Sequence, residues 1–441
     1  MAKMLRAVSS LCAVVLLGSV VTHNLAAGEP EQPLRSEILW DGYGVPHVYA
    51  ATVPDVVRGF GCAQIQLHAE LILRKFATAR GRLAEYFGAG ADGENLASDI
   101  MVRTENIPGR ARRWLQAGGE GQRALLESFV SGVNDCAERA TPGIDPSFRQ
   151  ILPLEPQDIL AGIQLTIHFT VMPEQSGVPQ LIAAWQQGQA TPATAPASGG
   201  SNGWALAPSR SASGNAILMG NPHLPWGANQ LIPNLEIYQW VEAELVVGNP
   251  HQPSLNATGV AFAGAPFLGI GFTDLIGWTH TNNPIKNADL YELQLTADGT
   301  GYQFGGQILP LSLRQEAIGV RQADGSITTQ EVQVATSVHG PVVARRQDGK
   351  ALALRVAGLE APRMVAQYWE MLTARGLGEF AAANSALQMP FFNVVFADRQ
   401  GEIMYLFGGR QPVRQGGSYA DYAGILNGSD RHCQLRSLWP E

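Results

Sequence analysis

Ser201 follows two glycines and precedes Asn202-Gly203-Trp204, with a run rich in Pro, Ala and Thr, residues 186–200, immediately upstream. If the Gly200–Ser201 peptide bond breaks, Ser201 becomes an N-terminal residue carrying both a hydroxyl nucleophile and a free amine. Such a residue needs no distant histidine, because its α-amino group can act as the base. An unperturbed α-amine titrates at about 7.7–8.0, close to the pH at which a general base works best. Gly200 suits the scissile position, since the absence of a Cβ leaves room for the hydroxyl and tolerates unusual backbone conformations. On composition alone, however, residues 186–200 read as an ordinary interdomain linker, too poor in apolar side chains to pack.

The elements around this serine fall into two halves. Residues 38–50 read as strand, turn at Gly42–Pro46 and strand. A long helical pattern covers Val53 to Phe87, with Ile65, Leu67, Leu71, Leu73 and Phe76 as apolar positions. Arg74, Lys75, Arg80 and Arg82 supply its polar face, and Gly88 stands as the stop. Helical runs at about 120–139 and 157–171 complete a mostly helical first half. From Ser201 onward the chain turns β-rich, with strand-like runs at Asp289–Leu295, Thr329–Thr336 and Ala351–Val356. A helix returns at about 361–386, and residues 391–409 read as a hairpin turning at Asp398–Gly401.

Composition excludes several classes. The 441 residues are 45% hydrophobic and 15% charged, which describes a globular chain. A formal charge of −8 and the absence of a long basic block argue against nucleic-acid binding. Lys3 and Arg6, the apolar run from about Ala7 to Val21 and the small residues Ala26-Ala27-Gly28 form an export signal over residues 1–28. That run is shorter than a bilayer span needs, and nothing later resembles a transmembrane segment, so no membrane partner is expected. The expected location is the periplasm or the exterior. Loss of the signal removes Cys12 and leaves Cys62, Cys136 and Cys433, so at least one cysteine is unpaired and the pairing is open. No CxxC, HExxH or His/Cys cluster suggests a catalytic zinc.

Several segments, in order, carry a resemblance. They are Asp41-Gly42-Tyr43-Gly44-Val45-Pro46-His47-Val48, Gly81-Arg82-Leu83-Ala84-Glu85, Ser201-Asn202-Gly203-Trp204 and Gly220-Asn221-Pro222-His223-Leu224-Pro225-Trp226. Gly277-Trp278-Thr279-His280-Thr281-Asn282 and Asn393-Val394-Val395-Phe396-Ala397-Asp398 with Gly401 follow. Together they resemble the penicillin acylase family of N-terminal-nucleophile hydrolases, and most closely its acyl-homoserine-lactone and cyclic-lipopeptide acylase branch.

The resemblance implies an α+β fold, the αββα sandwich, with a mostly helical α-part over 29–185, a spacer over 186–200 and a β-rich part over 201–441. It implies cleavage between Gly200 and Ser201, two self-cleaved chains that stay together as a heterodimer, and hydrolysis of a small-molecule N-acyl amide through an acyl-enzyme. The substrate would be an acyl-homoserine lactone, a lipopeptide or the amide side chain of a β-lactam. Ser201 would be nucleophile and α-amino base, His223 would orient the amine or line the oxyanion hole, and the Asn282 backbone N–H would face the oxyanion. His47, His68 and His280 read as packing residues. No cofactor is required; Asp289 matches a calcium-ligand position, but Lys286 and Asn287 stand where a second carboxylate is usual.

The family's β-part normally runs on to an asparagine-containing segment that completes the oxyanion hole, and Asn427 does not match it. The resemblance therefore covers a C-terminally shortened chain. Two other readings stay open on sequence: an inactive or split-gene fragment of such an acylase, and a secreted, non-catalytic binding protein in which Ser201 is an ordinary loop serine.

Overall fold

The computed structural model describes residues 36–139, 143–189, 200–223, 239–414 and 418–430. The export signal, most of the spacer, Leu224-Pro225-Trp226 and Cys433 lie outside the described residues.

The chain opens with an antiparallel hairpin of β1 (Ser36–Trp40) and β2 (Pro46–Ala50). Asp41 closes the turn, its carboxylate accepting from the backbone N–H of Tyr43 and Val45. Helix α1 (Val53–Ala79) follows, capped by Thr52, and α2 (Leu83–Phe87) ends at Gly88 with φ +80°. Next come α3 (Glu94–Thr104), α4 (Ile107–Ala117), α5 (Gly119–Arg139) and the short α6 (Pro146–Arg149). Then α7 (Pro156–Ile163) runs into a π-helical segment, Gln164–Val171, and on through α8 (Met172–Gln175) and α9 (Val178–Gln186).

One expectation fails here. Two of the four basic residues do not stand on a polar face: Lys75 is 4% exposed, and Arg80, just past the end of α1, is sunk against Asp158 in a two-pronged ion pair. The last two turns of α1, from Ile72 to Ala79, are enclosed on almost every side, so the apolar period there cannot mark one face. The helix is also broken at His68, whose φ of −139° and ψ of 44° are not helical.

Helices α1 and α5 pack backbone to backbone. A Cβ at Gly132 would stand 1.9 Å from the Arg58 carbonyl oxygen, and one at Gly61 would stand 2.4 Å from that of Phe129. Cys62 and Cys136 on the same two helices form a disulfide, which settles the pairing that sequence left open.

The second half opens with an isolated antiparallel pair, β3 (Gly200–Leu206) and β4 (Ile217–His223). Strands β5 (Trp240–Asn249), β6 (Gln252–Phe262), β7 (Ile270–Thr273) and β8 (Ile276–Thr281) come next. They are followed by β9 (Ala288–Gln294), the pair β10 (Gly301–Phe304) and β11 (Gln307–Pro310), and β12 (Ser312–Arg321). Then come β13 (Ile327–Ser337), β14 (Gly340–Arg345) and β15 (Lys350–Val356). The expected single helix at 361–386 is two, α10 (Met364–Leu372) and α11 (Leu377–Ser385), before the hairpin β16 (Phe391–Asp398) and β17 (Ile403–Gly409). A last short strand is β18 (Leu426–Asn427).

Eight strands form one sheet in the order β1-β2-β5-β6-β7-β8-β16-β17, and six form another, β12-β13-β14-β15-β9-β18. The first contains β2 and β5 in parallel, so the N-terminal hairpin is part of the later sheet. One core runs from Val48 and Phe60 through Trp278 to Phe396, joining helices of the first half to strands of the second. The architecture is α+β. No helix of the described residues is long and apolar enough to cross a membrane.

Candidate active site

Strand β8 explains why Trp278-Thr279-His280-Thr281 alternates as it does. Successive side chains on a strand point to opposite faces. Trp278 and His280 face the helices: Trp278 meets Phe380 of α11, and His280 meets Tyr368 of α10. Thr279 and Thr281 face the β3–β4 hairpin. There, Gly203 and Gly220 are direct cross-strand partners. A Cβ at Gly220 would lie 2.3 Å from Thr279 Oγ1, and one at Gly203 would lie 3.0 Å from Thr279 Cγ2. The two glycines let the hairpin backbone rest directly on the sheet, and this contact fixes where Ser201 stands.

Ser201 sits on β3 opposite Pro222, and Gly200 pairs with His223. Its hydroxyl donates to the Gly200 carbonyl oxygen at 2.7 Å and accepts from the His223 backbone N–H at 3.3 Å. The His223 ring lies within 3.4 Å of Asn202 Nδ2, and its residue is exposed. The His223 position therefore stands beside the nucleophile through its backbone N–H, while its ring turns to Asn202. The reason is the two-residue period of a strand: Ser201 and Pro222 share one face, while Asn202 and His223 belong to neighbouring register positions. A Cβ on Gly200 would meet nothing within 4 Å, so in this conformation steric room does not require glycine there.

Ser201, Pro222 and Asn282 are among the residues that line a largely apolar pocket with a void of about 70 Å³. Its walls come from α1, the π-helical segment, the 262–270 region and α10. Trp240 stacks on Phe262 at 4.3 Å, Phe267 on Tyr368 at 4.2 Å and His280 on Phe392 at 5.0 Å. Phe392 adopts φ +114°, a left-handed conformation that side-chain-bearing residues rarely take. Backbone strain of this kind gathers at functional sites, where the surrounding structure holds it in place. Beside it, Asn393 donates to Thr281 Oγ1 at 2.9 Å and to the Asn282 carbonyl oxygen at 3.1 Å, and accepts from the Tyr405 hydroxyl at 2.8 Å. Asn393 thus ties down the loop that carries Asn282.

The pocket's polar groups are few. Burial lowers His280 to about 4, with the Asn393 backbone opposing, so its ring is neutral at pH 7. Burial raises the Tyr368 hydroxyl. Both belong to the packing, as the sequence reading of His280 held. His47 also packs: it bonds Glu244 across the β2–β5 register.

Lys75 is the residue that sequence reasoning missed. Its Nζ donates to the Ala263 carbonyl oxygen at 2.9 Å and makes no ion pair among the described residues. Burial pulls it down from 10.5 to about 8. A depressed lysine costs stability while it is charged in the fold, and that cost fades as pH rises from the folded to the unfolded value. Between pH 8 and 10.5 the unfolded chain binds the extra proton, so stability should rise with pH. Urea unfolding should show the wild type gaining roughly 3 kcal/mol relative to Lys75→Met across that window. A constant difference would contradict this.

Asp289 does not fit a calcium ion. The carboxylate is 1% exposed and is held by Lys286 Nζ at 2.8 Å and by Arg414 Nη2 at 3.1 and 3.2 Å. Calcium needs six to eight oxygen ligands, whereas these neighbours are two cations. Among the described residues, no group of three or more His, Cys, Asp or Glu stands ready for a metal.

Ser201, bonded to the carbonyl of its own preceding residue, thus lines an apolar pocket. The chain belongs to the penicillin amidase family, whose model matches residues 35–441. It is 30% identical over 438 residues to the acyl-homoserine lactone acylase PvdQ of Pseudomonas syringae pv. syringae, covering 90% of this chain and 54% of that protein. Against the PvdQ acylase of Pseudomonas putida it is 31% identical over 403 residues, covering 84% and 50%. Against the penicillin acylase 2 proenzyme of a Pseudomonas species it is 26% identical over 436 residues, covering 85% and 52%. The chain thus spans about half the length of the curated relatives it matches.

Proposed function

We propose that this protein is an exported N-acyl amide hydrolase that exposes Ser201 by cutting its own Gly200–Ser201 bond. The observation that carries the reading is that Ser201 and Asn282 line the same apolar pocket. In the precursor, Oγ attacks the Gly200 carbonyl carbon and its proton passes to the Ser201 nitrogen; the C–N bond breaks, freeing the amine and leaving Gly200 as an ester on Oγ, and water hydrolyses that ester to the Gly200 carboxylate and the free hydroxyl. In turnover that amine takes the Oγ proton as Oγ attacks the substrate amide carbon. The tetrahedral oxyanion is met by backbone donors, for which the Asn282 N–H is the candidate; one such donor contributes roughly 3–4 kcal/mol. Collapse expels the leaving amine with the proton, and water then releases the acid. The apolar walls suit an aliphatic acyl tail, and relatives named acyl-homoserine lactone acylase support that leaving group.

The finer architecture belongs to the same proposal: an αββα sandwich of two self-cleaved chains that remain together as a heterodimer. Export to the periplasm or beyond is supported by the Cys62–Cys136 disulfide, a bond that persists in oxidising compartments. No metal enters any step. Purified processed protein incubated with long-chain acyl-homoserine lactones should release homoserine lactone, read by mass spectrometry. If it cleaves neither these nor β-lactam side-chain amides, the acylase reading fails.

A second reading is favoured by the outer face of the β3–β4 hairpin and of β17. Trp204, Ile217, Tyr405 and Phe407 are all more than 40% exposed there. Apolar faces of this kind mark contact sites. In this reading the chain is one part of a split acylase and needs a complementing polypeptide before it turns over.

A further inference from the structure

The pocket is not uniformly apolar: Lys75 and Thr166 both line it. Lys75 reaches the wall from α1 with a single acceptor, Ala263 O, for its three N–H donors. Thr166 lines the same pocket from the π-helical segment, is fully buried, and its Oγ1 has no hydrogen-bond partner. The two come from neighbouring surfaces. A Cβ at Gly162 would lie 3.7 Å from Lys75 Cε, and Thr166 follows Gly162 by four residues, one helical turn onward. A buried ammonium without a counter-ion and a buried hydroxyl without a partner are both costly. Each cost is relieved by one kind of ligand atom, an anionic oxygen.

We propose that Lys75 and Thr166 form a polar subsite within the acyl pocket, and that the preferred acyl group carries a carboxylate on its tail, as in the half-amide of an aliphatic dicarboxylic acid. Lys75 is then a specificity-determining residue: it selects the tail and takes no part in bond breaking. The apolar walls bury the methylene chain while the ammonium and the Thr166 hydroxyl receive the far carboxylate. A charge-assisted hydrogen bond in such surroundings is stronger than a neutral one, so an uncharged tail leaves the subsite unsatisfied. The proposal rests on the acylase reading for the reaction but not for the subsite, which binds the free acid as well as the amide.

The test pairs turnover with binding. Amides of one chromogenic amine are compared, with tails of four to ten carbons ending either in methyl or in carboxylate. The corresponding free mono- and dicarboxylic acids are titrated calorimetrically into the same processed protein. At the best length the carboxylate tail should be preferred by about tenfold or more, in kcat/KM and in affinity. Lys75→Met should abolish that preference, and Thr166→Val, which removes only a hydroxyl, should reduce it. Thermal melts establish that each variant is folded.

If both tails are cleaved and the methyl series is preferred, or the ratio survives Lys75→Met, the subsite is overturned while the acylase reading stands. If no amide is cleaved, the acylase reading fails for this chain and calorimetry alone decides. A dicarboxylate preference lost in Lys75→Met supports the subsite; equal affinities for the two acids overturn it, and Lys75 is then only a strut beneath Ala263.

Discussion

Ser201→Ala should leave the chain uncut and without measurable amide hydrolysis. Wild-type protein should yield a fragment whose N-terminus reads Ser-Asn-Gly-Trp, and the variant should not. Both effects have one origin: the hydroxyl that donates to the Gly200 carbonyl oxygen at 2.7 Å is also the group that would attack substrate. Loss of a serine nucleophile costs about 10³-fold or more in rate, because what remains is binding and the oxyanion donors alone. Ser201→Cys separates the two roles, since a thiol can still cut the precursor while changing the rate on amides. N-terminal sequencing with an activity assay on the same preparation reads both. An intact wild-type chain would remove Ser201 from the chemistry and leave the binding-protein reading.

The second large effect is on stability. Cys62→Ser, Cys136→Ser and the double variant should each lose about 4 kcal/mol in urea unfolding, and should match the wild type after reduction. The disulfide closes a loop with a sequence separation of 74, and a long loop is expensive to close in the unfolded chain. The crossing it staples has no slack, because Gly61 and Gly132 already bring α1 and α5 into backbone contact. A double variant as stable as the oxidised wild type would show that helix packing alone holds this crossing.

Much of this was legible in the residues. The β1–β2 hairpin, the stop at Gly88, the helix at 119–139 and the β16–β17 hairpin each carry local signals. Turn residues, a positive-φ glycine or a strict period of two mark these elements, and such signals do not depend on distant contacts. Ser201 stood out for the same reason, through the glycines and the spacer beside it. Lys75 did not. In sequence it is one cation among Arg74, Arg80 and Arg82, and only the burial of the last two turns of α1 separates it from a solvated residue. Asp289 was legible as a carboxylate at a suggestive position, yet Arg414, 125 residues later, decides what it binds.

The residues alone carried most element types, the family and the candidate serine, because those rest on local chemistry and on the order of short motifs. The tertiary structure decided what those residues face. It set the His223 ring beside Asn202, gave Asp289 two cationic partners and placed at the apolar pocket an ammonium with no ion pair among the described residues. The physical reason is that charge and hydrogen-bond balance at a buried site is a sum over neighbours far apart in the chain. In the active site those neighbours come from α1, the π-helical segment, the β3–β4 hairpin and β8, which only folding brings together.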